Sequence, residues 1–409
     1  MGKNGNIIAA LDIGTTKICA IIGERTEEGV DIIGFGTHPS KGLKKGMVVN
    51  VESTMDSIRH VIDDAEEMAG CEISSVYTGI SGSHIKSFNC QGVIALRNRE
   101  VKKEDVKRAI HASKEVTIPL DREILHVLPQ EFIVDDQDGI KDPVGLSGSR
   151  LEARVHIVTG AVSSAQNIIK CANKTGLNVK DIVLQQLASS ESVLNDDEKE
   201  LGVVLVDLGG GTTDIVIYLG ASIRYTAVLP LGGNHITSDI AVGLRTPLED
   251  AEEIKKQHGC AVSSLIDKSE TIEVPCIGGG KPRTVFRQLL GEVIEPRAEE
   301  ILSLVHKEVI KSGYKDLLTS GVVLTGGTSL LEGISELTEQ IFNLPVRVGY
   351  PRGVNGLSDV VHNPIYSTGV GLILYGMKHH SGNGVGNGNG KDVWKGLKDR
   401  MRRWFKEVV

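Results

Sequence analysis

Apolar residues along this chain follow two rhythms: short continuous runs of strand type, and stretches where they recur every three or four residues. Residues 7–37 read as a β-meander of Ile7–Asp12, Ile18–Gly23 and Val30–Gly36. A short link, Thr37–Val51, precedes a helix over about Ser53–Ala69, where Met55, Ile58, Val61, Ile62, Ala65 and Met68 keep helical spacing. A strand at Ser75–Gly79 leads into the turn Ser81–His84. From about 84 to 162 the pattern changes. Strand-like runs at Gly92–Leu96, Leu125–Val134 and Arg154–Val158 surround a charged helix at about Lys103–Val116, and Asp142–Gly145 reads as a turn. This stretch predicts a separate small α+β domain inserted in the first half. A helix at Ser164–Thr175, a strand at Val179–Leu184 and a small-residue helix at Leu187–Leu194 follow. Further on, a helix starts within Gly232–Ala241. The charged, strand-poor stretch from Pro247 to about Val305 predicts a second small subdomain. A strand at Gly321–Thr325 precedes a Gly-Gly-Thr turn and a helix, and the helix at Asn363–Gly376 can return to the first half. The glycine-rich Gly382–Gly390 is a flexible linker by composition, ahead of an 18-residue tail.

Two of the predicted strands break in the same way. The first reads ALDIGTTK, with Asp12, Gly14, Thr15, Thr16 and Lys17; the second reads VVLVDLGGGTTD, with Asp207, Gly209, Gly210, Gly211, Thr212, Thr213 and Asp214. The glycines allow a tight turn between two strands and bare backbone N–H groups that can point at phosphate oxygens. Each acid stands at a strand end, where it can hold Mg²⁺ through water, as hard divalent ions prefer. One such motif alone is an ordinary β-turn. Two copies 195 residues apart, each on a strand, predict two similar domains gripping one nucleotide from both sides.

Composition narrows the rest. With 409 residues the chain holds two to three domains, and 40% hydrophobic residues with 48 glycines suit an α/β protein with many turns. Aromatics are only 4%, so the cores are mostly aliphatic. A net charge of −8 argues against general nucleic-acid binding. The six cysteines are scattered without a CxxC pair, which suits a reducing cytosol and neither zinc nor a disulfide framework. The opening MGKNGN is not a signal peptide, and no apolar run approaches the ~18 residues of a membrane span. His84, His126 and His156 lack catalytic spacing and read as structural; His379 and His380 read as linker residues, lacking a third metal ligand nearby.

The ordered motifs DIGTTK, DLGGGTTD and VVLTGGTSLLEG (Val322–Gly333) together resemble the actin/Hsp70/sugar-kinase ATPase superfamily. Actin, MreB and Hsp70 carry a subdomain between the third strand and the first helix. Here that link is too short for one, and the extra material comes at about 84–162. This arrangement resembles the FtsA family of bacterial cell-division proteins. The strings SSVYTGISGSHI, HVLPQEF, DPVGLSG, LGGNHITSDIA, AEEIKKQHG, VIEPR and NPIYSTGVGL agree, and the resemblance covers nearly all of residues 7–378 and extends to the tail. It implies an α/β, actin-like (ribonuclease H-like) two-lobed ATPase fold in which an inserted α+β subdomain, 1C, replaces 1B. Subdomain 1A would take 1–83 with 163–198 and 364–380, 1C 84–162, 2A 199–245 with 308–363, and 2B 246–307. A flexible linker, 381–391, would lead to an amphipathic membrane-targeting helix, 392–409.

The resemblance also assigns a site for ATP and Mg²⁺. Asp12, Asp207 and Asp214 would surround the metal through waters. Gly14, Thr15, Thr16, Gly209, Gly210, Gly211, Thr212 and Thr213 would hold the β- and γ-phosphates, with Lys17 adding a point charge. Gly326, Gly327 and Thr328 would turn N–H groups toward the nucleotide. Glu252 and Lys255 would reach the ribose and adenine, beside Gly232, Gly233 and Asn234; an ordinary solvated ion pair is the competing reading for Glu252 and Lys255. Gln185 falls where Hsp70-like sequences hold a glutamate. An amide orients water but is no base, so slow turnover is expected. The expected partners are the C-terminal peptide of the tubulin homologue FtsZ, other copies of the chain in filaments, anionic lipids, and other divisome proteins through 1C. Basic candidates for the acidic FtsZ peptide are Lys281, Arg283, Arg287 and Arg297. The expected location is the cytoplasmic face of the cell membrane at the division septum. A small-molecule kinase and a PilM-like pilus adaptor are the alternatives. Both leave the tail unexplained, and the kinase would also need a positioned aspartate base.

That tail reads DVWKGLKDRMRRWFKEVV. Val393, Trp394, Leu397, Met401, Trp404, Phe405 and Val408 share one helical face, and Lys395, Lys398, Arg400, Arg402, Arg403 and Lys406 occupy the remainder. Both tryptophans of the chain are here. Such a segment is too charged to span a bilayer and is expected to lie flat in an anionic interface. Each deeply buried large side chain contributes about 1.5–3 kcal/mol and each nearby Lys or Arg about 1 kcal/mol.

Overall fold

The computed structural model describes residues 6–278 and 280–379. The tail and its predicted membrane face lie outside the described residues, as do His380 and the linker.

The chain opens with the antiparallel meander β1 (Ile7–Ile13), β2 (Lys17–Thr26) and β3 (Gly29–Pro39). The link after it folds into a small hairpin, β4 (Leu43–Lys44) and β5 (Met47–Val48). Helix α1 (Val51–Ala69) follows. Asn50 caps it by accepting from the Ser53 N–H, and Gly70 ends it in the left-handed conformation. Strand β6 (Ser75–Ile80) runs parallel to β1.

The inserted domain comes next: β7 (Lys86–Glu100), α2 (Lys103–Ala112), β8 (Arg122–Val134), β9 (Gln137–Ile140) and β10 (Ser147–Ala161). Its sheet has the order β7-β10-β8-β9, with α2 packed on one face. Strands β7 and β10 reach 15 residues each, far beyond the apolar runs Gly92–Leu96 and Arg154–Val158. Their ends are polar and gain order from pairing along their length, which a hydrophobicity pattern does not register. The predicted helix to Val116 stops at Ala112.

The first lobe resumes with α3 (Val162–Lys174), β11 (Asn178–Leu184), α4 (Gln185–Val193) and α5 (Asp196–Leu201). The second lobe holds β12 (Val203–Leu208), β13 (Thr213–Leu219), β14 (Ser222–Leu229), α6 (Gly233–Gly243) and α7 (Leu248–His258). The strand-poor stretch contributes only a short hairpin, β15 (Thr271–Val274) and β16 (Arg283–Phe286), before the long α8 (Arg287–Ser312). Then come β17 (Val322–Thr325), α9 (Ile334–Phe342), β18 (Val346–Val348), β19 (Asn355–Gly356), α10 (Ser358–Val361) and α11 (Ser367–His379). His379, expected in the linker, belongs to α11, where its ring stacks on Tyr375 at 4.1 Å.

The lobes repeat one design. The first sheet runs β11-β6-β1-β2-β3-β19 and the second β14-β13-β12-β17-β18. In each, a three-stranded antiparallel meander joins two parallel strands through its first strand. Strands β1 and β12 are buried almost throughout because helices cover both faces of their sheets, so they read as continuous apolar runs. Helix α11 returns to the first lobe and packs on α4 and β1.

The face of the inserted sheet away from α2 rests on the edge strand of the second lobe. Ser87 Oγ donates to Thr226 O at 2.8 Å and Gln130 Nε2 to Ile223 O at 2.8 Å. His156 bridges Asn89 Oδ1 (2.6 Å) and Thr226 Oγ1 (2.9 Å). On the first-lobe side, His126 Nε2 accepts the Leu184 N–H at 3.0 Å. Burial depresses both histidines to about 4, which keeps them neutral in these structural positions.

Candidate nucleotide-binding site

Each meander turns where glycine interrupts the apolar run. Gly14 N–H donates to Lys17 O at 3.0 Å in the β1–β2 turn; Gly209 N–H donates to Thr212 O at 3.0 Å in the β12–β13 turn. These equivalent hydrogen bonds leave Asp12 at the end of β1. Asp207 and Asp214 stand directly opposite one another across the β12–β13 ladder.

The two turns meet. A Cβ on Gly211 would lie 2.5 Å from Thr15 Oγ1, and one on Gly210 would strike the Thr16 methyl while lying 3.1 Å from Asn234 Oδ1. The approach of the lobes thus requires these glycines. The start of α6 is tied into the second turn: Gly233 N–H donates to Gly209 O at 2.9 Å and Asn234 N–H to Gly210 O at 2.8 Å. Gly232 N–H donates to His235 Nδ1 at 3.2 Å. Thr328 Oγ1 donates to Gly209 O at 3.1 Å. Gly326 N–H is taken by Pro364 O, and a single 3₁₀ turn, Gly327–Leu330, follows, with α9 starting only at Ile334. The turn expected to lead directly into a helix is therefore separated from it.

Glu252 and Lys255 form no freely solvated pair. Lys255 Nζ reaches Glu252 Oε2 (2.6 Å), Thr237 Oγ1 (2.8 Å) and Gly233 O (3.2 Å), and Thr237 donates to the same carboxylate at 2.5 Å. Burial opposes its charge, yet Lys255 holds the Glu252 carboxyl below its ordinary range. The network fastens α7 to the first turn of α6.

The three aspartates are buried: Asp12 is 5% exposed, Asp207 8% and Asp214 3%. Asp12 has a charged neighbour, Lys17 Nζ, at 3.0 Å. Burial works against the Lys17 charge, but Asp12 beside it keeps the lysine above its ordinary value. Gln185, at the start of α4, points Nε2 at Asp12 Oδ1, 3.4 Å away. Asp207 accepts from Ser189 Oγ at 2.5 Å and Thr368 Oγ1 at 3.3 Å, and Asp214 from Ser81 Oγ at 2.5 Å and Thr212 Oγ1 at 2.9 Å. Burial, aided by the neighbouring carboxylates, pushes Asp207 up to about 6 and Asp214 up to about 7. Desolvated acids served only by hydroxyls fit a divalent cation. Among the described residues no group of three or more His, Cys, Asp or Glu forms a direct metal cage, so an ion here would be held through water, as Mg²⁺ accepts.

Ser81, Ser189 and Thr368 escaped sequence reasoning. They come from three distant segments; the small, polar character of the Ser81–His84 turn and of α4 is the signal for Ser81 and Ser189, and Thr368, in α11, carries none.

Two of the four basic candidates form ion pairs within the chain. Arg287 pairs with Glu270 at 3.0 Å and with Glu332, and Arg297 pairs with Asp239 at 2.5 Å and with Glu300. Lys281 and Arg283 are exposed, although Arg283 also donates to Leu244 O.

Comparison with known proteins places this geometry. A family model described as "Cell division protein FtsA" matches residues 204–371, and one described as "SHS2 domain inserted in FTSA" matches 82–159. The chain is 52% identical to the cell division protein FtsA of Pseudomonas aeruginosa, covering 98% of both chains. It is 46% identical to that of Escherichia coli K12, covering 91% of both. Among solved structures, a PilM–PilN type IV pilus biogenesis complex matches with TM-score 0.65 at 15% identity, over 92% of this chain and 99% of that one. MreB5 of Spiroplasma citri bound to ADP matches with TM-score 0.57 at 15% identity, over 97% of this chain and 100% of that one. These structures share the actin-like ATPase fold. Two equivalent lobes, a domain inserted after β6 and close sequence identity over nearly the whole length lead to one conclusion: the chain belongs to the FtsA family of cell division proteins.

Proposed function

We propose that this protein is an ATP- and Mg²⁺-binding, self-associating adaptor of the cell-division machinery. It lies on the cytoplasmic face of the cell membrane at the septum, through its C-terminal amphipathic segment. There it tethers FtsZ filaments through the FtsZ C-terminal peptide and recruits later division proteins through the inserted domain. The observation that carries the nucleotide half is the meeting of two glycine turns around three buried carboxylates. The ADP carried by MreB5 of Spiroplasma citri, on the same fold, supports it. In this reading Asp12, Asp207 and Asp214 hold Mg²⁺ through water, and the turns receive the phosphates. Glu252 and Lys255 border the nucleoside side. Gln185 beside Asp12 offers an amide and no base, so turnover is slow and ATP mainly favours a closed, self-associating state. The filament of MamK, which shares the fold with TM-score 0.51, and the family's role in division support assembly.

Titration calorimetry of the purified chain with Mg–ATP tests the first half: a heat of binding is expected, and none from well-folded protein overturns it. Phosphate release on the order of tens per second without partners would contradict slow turnover. Sedimentation with anionic liposomes tests the second half. The double substitution Trp404→Glu and Phe405→Glu is expected to move the protein from pellet to supernatant, and unchanged pelleting would refute the anchor.

A further inference from the structure

The inserted domain touches both lobes, but on different terms. Its last strand, β10, runs directly into α3, and Ile85 and Val158 at its base are buried in the core that also holds β1 and α3. It is therefore built into the first lobe. On the second lobe it meets chiefly β14, through hydrogen bonds that depend on direction. Ser87 and Gln130 each donate to a β14 carbonyl, and Ser222 of β14 returns a bond to Gln130 O at 2.8 Å.

Between these contacts runs a chain of three side chains. Asn89 Nδ2 reaches Arg224 O at 3.4 Å, and Gln130 Nε2 donates to Asn89 Oδ1 at 3.3 Å, which together orient the Asn89 amide. Its Oδ1 only accepts, so His156 Nδ1 donates to it at 2.6 Å. Burial keeps the His156 ring neutral, which makes Nε2 an acceptor, and Thr226 Oγ1 donates to it at 2.9 Å. His156 and Thr226 are both buried. Each group has one role, so the chain forms in one relative position of the two bodies.

The strand beyond this chain is tied to the candidate site. Strand β14 pairs with β13, where Val228 stands opposite Asp214 and Leu229 opposite Thr213. A rotation of the second lobe moves β13 and β14 together, past a domain fixed to the other lobe. A shift of about 1 Å carries a hydrogen bond of ordinary length out of range.

We infer that the Asn89–His156–Thr226 chain, flanked by Ser87 and Gln130, is a latch that ties the inserted domain to closure of the nucleotide cleft. It is complete when the two glycine turns meet and broken when the lobes part. Nucleotide between the turns fixes the inserted domain on the second lobe, and loss of the latch weakens nucleotide binding from outside the site. This rests on the nucleotide reading above. His156 and Thr226 are positioning residues and touch no nucleotide.

Hydrogen–deuterium exchange of the full chain with and without Mg–ATP is the first test. Protection is expected at 87–91 and 222–229 as well as in the glycine turns. Protection confined to the turns overturns the latch and leaves the nucleotide site intact. Thr226→Val removes the donor at nearly constant volume. Its Mg–ATP affinity, read by calorimetry, should fall about fivefold. Its protection at 87–91 should vanish while the turns stay protected. Thr226→Ser keeps the hydroxyl and should restore both. Wild-type affinity and protection in Thr226→Val, or equal losses in the two variants, overturn the inference. Where Thr226→Val does not fold, Ser87→Ala removes a single bond to Thr226 O and should lower affinity about twofold; an unchanged affinity there counts against the latch. No binding of Mg–ATP to the wild-type chain overturns both readings.

Discussion

In the first glycine turn the strand-end carboxylate brings its own cation: Lys17 stands 3.0 Å from Asp12. In the second, Asp207 and Asp214 face one another across a ladder, their side-chain hydrogen-bond partners among the described residues are serine and threonine hydroxyls, and burial lifts them to about 6 and about 7. The backbone design is the same, with equivalent hydrogen bonds closing both turns. The difference is one of charge. The first turn is electrically complete, whereas the second carries acids that ionise at a cost unless a cation arrives from outside. Duplicating a fold thus need not duplicate the charge of its turns, and in the proposed site the need for a cation would fall mostly on the second lobe.

Closing the space between the turns should break this comparison most severely. Gly211→Val would drive a branched side chain into Thr15, and nucleotide affinity should fall by at least ~100-fold, about 2.7 kcal/mol. Retained affinity in calorimetry, with an unchanged circular-dichroism spectrum, would show that the turns need not touch.

Asp214→Asn should remove most of the Mg²⁺ enhancement of ATP binding, on the order of tenfold, about 1.4 kcal/mol. Lys17→Met should leave that enhancement in place. Equal Mg²⁺ dependence of the two variants would erase the asymmetry.

Stability should carry the same signature. Asp207 and Asp214 have folded-state pKa values raised above the ordinary range, so the native chain holds protons that the unfolded chain has lost. Their contribution is complete below about pH 4 and disappears as the pH rises through about 6 to about 7. Mg–ATP bound as proposed would offset the resulting repulsion, so the rise in melting temperature it produces should be larger at about pH 8 than at about pH 6. A gain that shrinks with rising pH would run against this assignment.

The smallest effect is expected at Gln185. Gln185→Glu would place a carboxylate beside Asp12, where water bound to the phosphate side could meet a base. Phosphate release, measured under steady-state conditions, should rise by a few-fold.

Much of the fold is legible in the sequence. The strands β1, β2, β12 and β13 announce themselves because apolar runs end abruptly in glycine, and a turn closed by backbone bonds depends on few other residues. The inserted domain showed as a change of rhythm. The full length of β7 and β10 did not, because their polar halves are ordered by neighbours rather than by burial. The sequence leaves Glu252 and Lys255 between a ligand contact and a solvated pair; the network with Thr237 and Gly233 exists because α7 lies beside α6.

Reading the chain alone suffices for where the backbone turns and which acids end the strands, since turn formation and apolar periodicity are local properties. It suffices too for the amphipathic character of the final segment. Which hydroxyls meet which carboxylate, and how far burial shifts each acid, waited on three-dimensional packing. Desolvation is the summed effect of every group that displaces water, and here Ser81, Ser189 and Thr368 reach the same site from three remote parts of the chain.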